Sequence, residues 1–417
     1  MKKFVSAVTL TAVILSVLSL SACDNGTPSS ESTVSEPESV IESSIVISKP
    51  QESSQISWEK SNSAEKAITT QQIDEMSEAV SSYQNMPVFN SEGSSFNAKS
   101  VSSGKTITLI PDNLNLSYTK LVAEQFKVAA ESAGFSKFIV AKTDGTENSI
   151  NNALNNAVNG KADIIIMFGD INKDKFSTNI EYAQANGIEV ISAGSVNAGQ
   201  NDHFADYTMP VDYSSIGKYL ADWTIIKTKG NVNALAINCT DSVLSNSIAL
   251  GFKSEFEKYV SGVTGYCTGV SAMLNENGDT LTGKIRDALK KDTKLNYIVV
   301  FDDRMIESAL NAVELLGLKI PVISTGGSDE AFDSARYGNI EMLVAQSYEW
   351  TAYGMVDYAM RILGNISIPK EQYVPFRILT TESISDAIYN FGGLSGNFNR
   401  ICFGSHFEYG YNSLWQV

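Results

Sequence analysis

The side chains suited to chemistry are few in this chain, and their spacing favours binding over catalysis. Only two histidines occur, His203 and His406, which leaves a histidine-based acid–base system few options. There is no nucleophile elbow and no paired-cysteine spacing of the zinc type. Residues 275–279, NENGD, carry scattered oxygen donors but lack the spaced ligands and closing Glu of a calcium loop, so no metal is expected. Asp302 and Asp303 are adjacent, and at the start of a helix such a pair caps more often than it catalyses. Asp303 is the better cap by position, which leaves Asp302 for a cleft. The other polar concentration is the loop at residues 112–117, which begins at Asp112 and includes Asn115. Amides there both donate to and accept from hydroxyls.

That loop belongs to a strand–loop–helix unit at residues 105–134. Ile107, Leu109 and Ile110 form a short β-branched run that suits a strand covered on both faces, and Pro111 ends it. Val122, Phe126, Ala129, Ala130 and Ala133 share one face of the helix that follows, with Gly134 at its C′ position. No glycine-rich phosphate loop follows the strand, so no nucleotide cofactor is expected, nor any other. Further apolar runs at 138–140, 164–168, 190–191, 234–237, 297–301, 322–323 and 342–345 alternate with helical patterns at 150–158, 180–185, 216–226, 248–259, 281–289 and 305–316. Alternation of this kind predicts an α/β fold of parallel sheets built from βαβ units. The number of units fits two similar lobes, with ligand beyond the carboxyl ends of the strands.

The chain has 417 residues and a net charge of −16, which argues against nucleic acid and against an electrostatic grip on anionic lipid. Lys2, Lys3 and the apolar run at 4–20 read as a secretion signal. The run ends in Leu20-Ser21-Ala22-Cys23, which resembles the bacterial lipoprotein motif and implies acylation of Cys23. No later segment is apolar for long enough to span a bilayer. The expectation is a lipid-tethered protein on the extracytoplasmic face of the cell membrane. Residues 24–104 read as a disordered Ser/Glu/Pro-rich stalk with a short helix within 65–83. Cys239, Cys267 and Cys402 cannot all pair within the chain. Cys239 and Cys267 sit at strand positions and read as buried small residues, with a disulfide the open alternative.

From residue 105 to about 381 the chain resembles the type I periplasmic sugar-binding proteins of the ribose- and galactose-binding kind. The resemblance rests on the order of its pieces: TLIPDNLNLSYTKLV, ADIIIMFGD, NGIEVISAG, VDYSSIGKYLADW, IALGFKSEF, NYIVVFDDRMIESALNAVELLG, VISTGGSDEAF and MLVAQS. It implies two doubly wound parallel-sheet lobes joined by a three-stranded hinge, closing on a small solute. Lobe one is then 105–211 plus 347–376, and lobe two is 212–346 plus 377–389. Residues 390–417 form an aromatic C-terminal extension, expected to pack over lobe two.

The resemblance implies a monomeric solute-binding lipoprotein that carries a small polar solute, a sugar first, to the permease of an ABC-type importer. It implies no catalysis. The alternatives are a receptor subunit for a sensor kinase or chemoreceptor, or a binder of a nucleoside or amino acid. A transcription regulator shares the fold, but a secretion signal and no DNA-binding headpiece argue against it. By position the resemblance places Asn115, Tyr118, Ser195, Asn246, Asp302 and Gln346 at the ligand. Asp112, Asp241, Glu349 and Trp350 are further candidates. A loop end or helix staple competes for Asn115 and Tyr118, and an interlobe seam for Trp350. The family often has Asp-Arg where this chain has Gly194-Ser195, Arg at Asn246, and Asp at Gly326. A changed set of charged contacts implies a changed ligand.

Overall fold

The computed structural model describes residues 56, 58, 68–90, 93–259, 264–369, 374–391 and 397–417. The signal run, Cys23 and residues 24–55 lie outside them. Two short helices come first, α1 (Thr70–Ser82) and α2 (Ala98–Ser102). The apolar runs then become strands. In lobe one, β1 (Thr106–Pro111), β2 (Lys137–Val140), β3 (Ile164–Phe168), β4 (Glu189–Asn197) and β5 (Tyr207–Val211) form a parallel sheet in the order β2-β1-β3-β4-β5. Ile107 and Leu109 face the layer of α3 (Ser117–Ser132). Ile110 faces the layer of α4 (Glu147–Asn159) and α5 (Ser177–Ala185). Successive side chains point to opposite faces and both faces are covered, which is why this run is apolar throughout.

Lobe two repeats the scheme. It contains α6 (Tyr213–Thr228), β6 (Asn231–Cys239), α7 (Val243–Lys258), β7 (Thr264–Ala272), α8 (Gly278–Lys291), β8 (Tyr297–Val300), α9 (Ile306–Leu315), β9 (Val322–Gly326), α10 (Asp329–Arg336) and β10 (Met342–Gln346). The chain then returns to lobe one as α11 (Tyr348–Leu363), which packs along α3. It comes back as β11 (Phe376–Leu379), antiparallel to β10, and α12 (Thr381–Phe391). The sheet order is β11-β10-β9-β8-β6-β7. The chain passes between lobes after β5, after β10 and before β11. The fold is the expected pair of α/β lobes. β5 and β7 carry no long apolar run, and each is the last strand at one end of its sheet, where less of it is covered.

Two more passages join the lobes behind this hinge. α1 packs on α6 of lobe two through the buried Met76 and Val80. Tyr83 stacks on Phe376 at 4.7 Å and lies 4.6 Å from Tyr219. Its carbonyl accepts from Ile378 N–H at 2.8 Å, so this segment covers the open edge of β11. Further on, Phe96 N–H donates to Leu414 O at 2.8 Å, and α2 packs on α11 of lobe one. The C-terminus makes a second such passage. α13 (Phe398–Phe403) packs on α10 and α12, whereas α14 (His406–Leu414) packs on α11. Trp415 is fully buried and donates from Nε1 to Asp357, which also holds Arg361 at 2.7 Å.

Both terminal expectations therefore change. The short helix expected within 65–83 is α1, but the stretch expected as a disordered stalk is structured over the described residues from 68 to 104, because Met76, Val80, Phe96 and Ala98 are buried. Trp58 also stacks on Phe301, at 6.0 Å and 11° between ring planes. The C-terminal extension spans both lobes instead of lying over lobe two alone. A chain that starts at Lys105 is expected to melt on the order of 10 °C below one that starts at Ile68. Thermal denaturation followed by circular dichroism checks this, and equal melting temperatures would mean that the N-terminal passage carries no stability.

Candidate functional site

The carboxyl ends of both sheets face one another across a cleft, as the topology of such sheets requires. The lobes are in contact there. Asp170, just after β3, accepts at Oδ1 from the Val243 N–H at the start of α7, at 2.8 Å. A carboxylate suits that place because the first N–H groups of a helix have no partner within it. Ser117 reaches Glu330 at 3.2 Å across the same gap. The cavity between the lobes is about 60 Å³ and is lined by Tyr118, Phe168, Tyr213, Phe301, Arg304, Gln346 and Tyr348, with Asp302, Asp303 and Gly326 in its wall. That is far below the roughly 300 Å³ at which small-molecule pockets begin. The lobes must part before a solute enters.

Charge in the cleft is paired internally. Arg304 holds Asp302 through two hydrogen bonds, Nε at 2.7 Å and Nη2 on the second oxygen. Asp302 also caps the turn that precedes α9, accepting from Arg304 N–H at 3.1 Å. Asp303 is not the cap. Its Oδ2 accepts from the N–H groups of Gly327 and Ser328, both at 3.1 Å, and fixes the loop after β9. Gly326 has φ +144, and a Cβ there would collide with the Asp303 carboxylate. The position therefore requires glycine.

Burial decides the titration of these groups. It pushes Asp170 up to about 6, against the pull of Ser242, Arg304 and the Val243 N–H. Asp170 Oδ2 makes no hydrogen bond among the described residues and lies 4.0 Å from Arg304 Nη2. Burial also raises Asp112, although Tyr118 O–H and the N–H groups of Asp170 and Asn113 donate to it. Burial lowers Lys173 to about 8, with Asp202 pulling the other way. On Arg304 burial acts downwards, but the bonds to Asp302 outweigh it and the guanidinium stays charged.

Of the expected ligand residues, Tyr118, Asp302 and Gln346 line the cavity. The others do not. Asn115 is exposed, and its loop is fixed by Asn113, whose side chain takes the Asn115 N–H at 3.0 Å. Asp112 lies behind the wall, holding Tyr118 and the Asp170 backbone. The Ser195 hydroxyl is taken by buried Lys173. Asn246 bonds Asn238 at 2.9 Å and the Thr240 carbonyl at 3.0 Å, inside lobe two. Asp241 accepts from Leu274 N–H at 2.8 Å. Glu349 and Trp350 are sealed behind the hinge, Glu349 with Asn397 and Arg400, Trp350 against Phe407 and Phe89. Sequence reasoning missed Arg304, Tyr213 and Tyr348. Each lies within two residues of a site or crossing position, Asp302, Val211 or Gln346, and that proximity was the available signal.

Buried Asp170 makes the stability of the fold depend on pH. Its carboxyl is harder to ionise folded than unfolded. Between about pH 4 and 6 the folded state therefore binds more protons, and this group's contribution to stability falls as pH rises through that window. Asp170→Asn keeps an acceptor for Val243 and removes the penalty. The variant is expected to exceed the wild type in stability at pH 7, by on the order of 1–3 kcal/mol, and to match it near pH 4. Urea unfolding at both pH values checks this, and a variant weaker at pH 7 would refute it.

No curated protein sequence matches the chain. Solved structures do match its fold. A glucose-galactose binding protein from Geobacillus stearothermophilus is 17% identical with TM-score 0.58, over 67% of this chain and 98% of that one. An ABC transporter solute binding protein from Agrobacterium vitis, bound to allitol, is 15% identical with TM-score 0.60, over 69% and 98%. A sugar transporter from Clostridium phytofermentans is 18% identical with TM-score 0.54, over 66% and 99%. The family model described as "Periplasmic binding protein domain" matches residues 107–366, more than half of the chain and both lobes of the cleft described above. With two α/β lobes that meet over an aromatic-walled cavity, the chain belongs to the periplasmic binding protein family.

Proposed function

We propose that this protein is an extracytoplasmic solute receptor that captures one small polar molecule, a sugar or related polyol, between its lobes without transforming it. The observation that carries the reading is the cleft itself. Two lobes meet over a cavity that combines tyrosine rings with a charge-paired carboxylate and an amide, groups that stack on a sugar ring and bond its hydroxyls. The structural relatives named above support a sugar first, since their names give glucose, galactose and allitol as ligands or describe sugar transport.

In this reading Cys23 carries the lipid that holds the mature chain at the membrane. More than one acyl chain is needed for stable attachment. The closed, monomeric form docks on the permease of an ABC-type importer. A receptor subunit for a sensor protein is the second reading, and the two extra passages behind the hinge favour it. They tie α1 and α14 to opposite lobes, so opening is more restrained than with three crossings. A smaller opening is enough to report a ligand, whereas release to a permease needs a wide one.

Calorimetric titration of the mature chain with neutral monosaccharides and alditols tests the proposal. One of them is expected to bind, and Gln346→Ala is expected to weaken it at least about tenfold, the cost of one lost buried hydrogen bond to a ligand. Binding of a nucleoside or amino acid in place of every sugar would overturn the solute class. Turnover of the bound sugar would overturn the receptor reading.

A further inference from the structure

Arg304 is the one cation among the described residues that line the cavity. The positions where the resembled family has charged contacts hold neutral residues here, and these are engaged elsewhere. Ser195 is taken by Lys173, Asn246 by Asn238 and Thr240, and Gly326 has no room for a side chain. Arg304 enters from the turn before α9, beside Asp302, and its side chain is 29% exposed. Nε and one Nη2 donor hold Asp302. Nη1 makes no hydrogen bond among the described residues, and Arg304 lines the cavity. Four carboxylates surround it, Asp112, Asp170, Asp302 and Asp303, against Arg304 and the buried Lys173.

We infer that Arg304, locked to Asp302, sets the specificity of the cleft for uncharged polyhydroxy solutes and excludes their acidic counterparts. The inference rests on the sugar reading above. The chemistry follows from what each ligand would do to the pair. A neutral hydroxyl accepts from the free Nη1 edge and leaves the pair intact. A carboxylate on the ligand adds a negative charge to a site where acids already outnumber bases, and Asp302 already balances the charge of the guanidinium that would meet it. An ammonium on the ligand competes with Arg304 for Asp302, and an intramolecular partner already in place wins unless it is removed. Site charge here rejects ligands more than it attracts them, which is how a polar site separates molecules of the same shape.

The test uses the mature chain and three probes that share one ring: a neutral hexose that the wild type binds, its 2-amino sugar and its uronic acid. Calorimetry should give the neutral sugar the highest affinity and the uronate at least tenfold lower affinity. Arg304→Met leaves Asp302 open. It should lose at least tenfold on the neutral sugar and rank the amino sugar first. Arg304→Lys keeps the charge but loses the fork. It should weaken the neutral sugar while still rejecting the uronate, and it guards against a Met variant that fails to fold. If the wild type prefers the uronate, or if both variants keep the wild-type order and affinities, the inference is wrong while the sugar reading stands. If no neutral sugar binds the wild type, both fall together.

Discussion

The structure depends on one junction, the turn from Gln346 to Ser347 where lobe two becomes lobe one. Asn399 holds it from outside the hinge. Its Nδ2 donates to the Gln346 carbonyl at 3.0 Å, and its Oδ1 accepts from the Ser347 hydroxyl at 3.0 Å. Ser347 in turn caps α11, and its N–H reaches Pro375 O in the next crossing at 3.3 Å. All of these groups are buried, so each hydrogen bond would be costly to leave unmade. The Gln346 side chain meanwhile lines the cavity. A single peptide unit thus joins the cleft, two hinge strands and the C-terminal segment.

The terminal segments extend this control. Arg361 is fully buried, paired with Asp357, and donates to the carbonyls of Ser94 and Ser367. Asp357 also takes Trp415, so one ion pair gathers the N-terminal passage, α11 and the C-terminus. Breaking such a buried pair from one side leaves a charge without compensation. The hinge is therefore embedded in a packed layer of aromatic rings, among them Phe89, Trp350, Tyr353, Phe407 and Tyr411.

Within the cleft the governing fact is internal neutralisation. Desolvating four carboxylates in one region would be prohibitive without donors. Tyr118 serves Asp112, the α7 N-terminus serves Asp170, Arg304 serves Asp302, and two backbone N–H groups serve Asp303. One of these partnerships, Asp170 with Val243, exists only across the gap and so only when the lobes are together. Opening would return that carboxylate and that N–H to water, where both are well solvated, so the bond itself biases closure only modestly.

The sequence by itself determined the two-lobe α/β fold. Apolar runs such as Ile107–Ile110 and 164–168 are buried on both faces whatever surrounds them, and their alternation with amphipathic helices leaves few topologies. It also placed Tyr118, Asp302 and Gln346 at the cleft, because each sits at or just beyond a strand end that must face the other lobe. Only the tertiary structure decided the rest. Ser195 and Asn246 are polar residues near the same edge, but Lys173 and Asn238, distant or buried partners, claimed them first. Arg304 entered the site because its long side chain folds back on Asp302, a rotamer that no spacing rule specifies. Residues 68–104 and 397–417 read as weakly apolar or irregular because neither buries a face alone. Their partners lie on opposite sides of the hinge, outside the local stretch of chain, and local composition holds no record of such contacts.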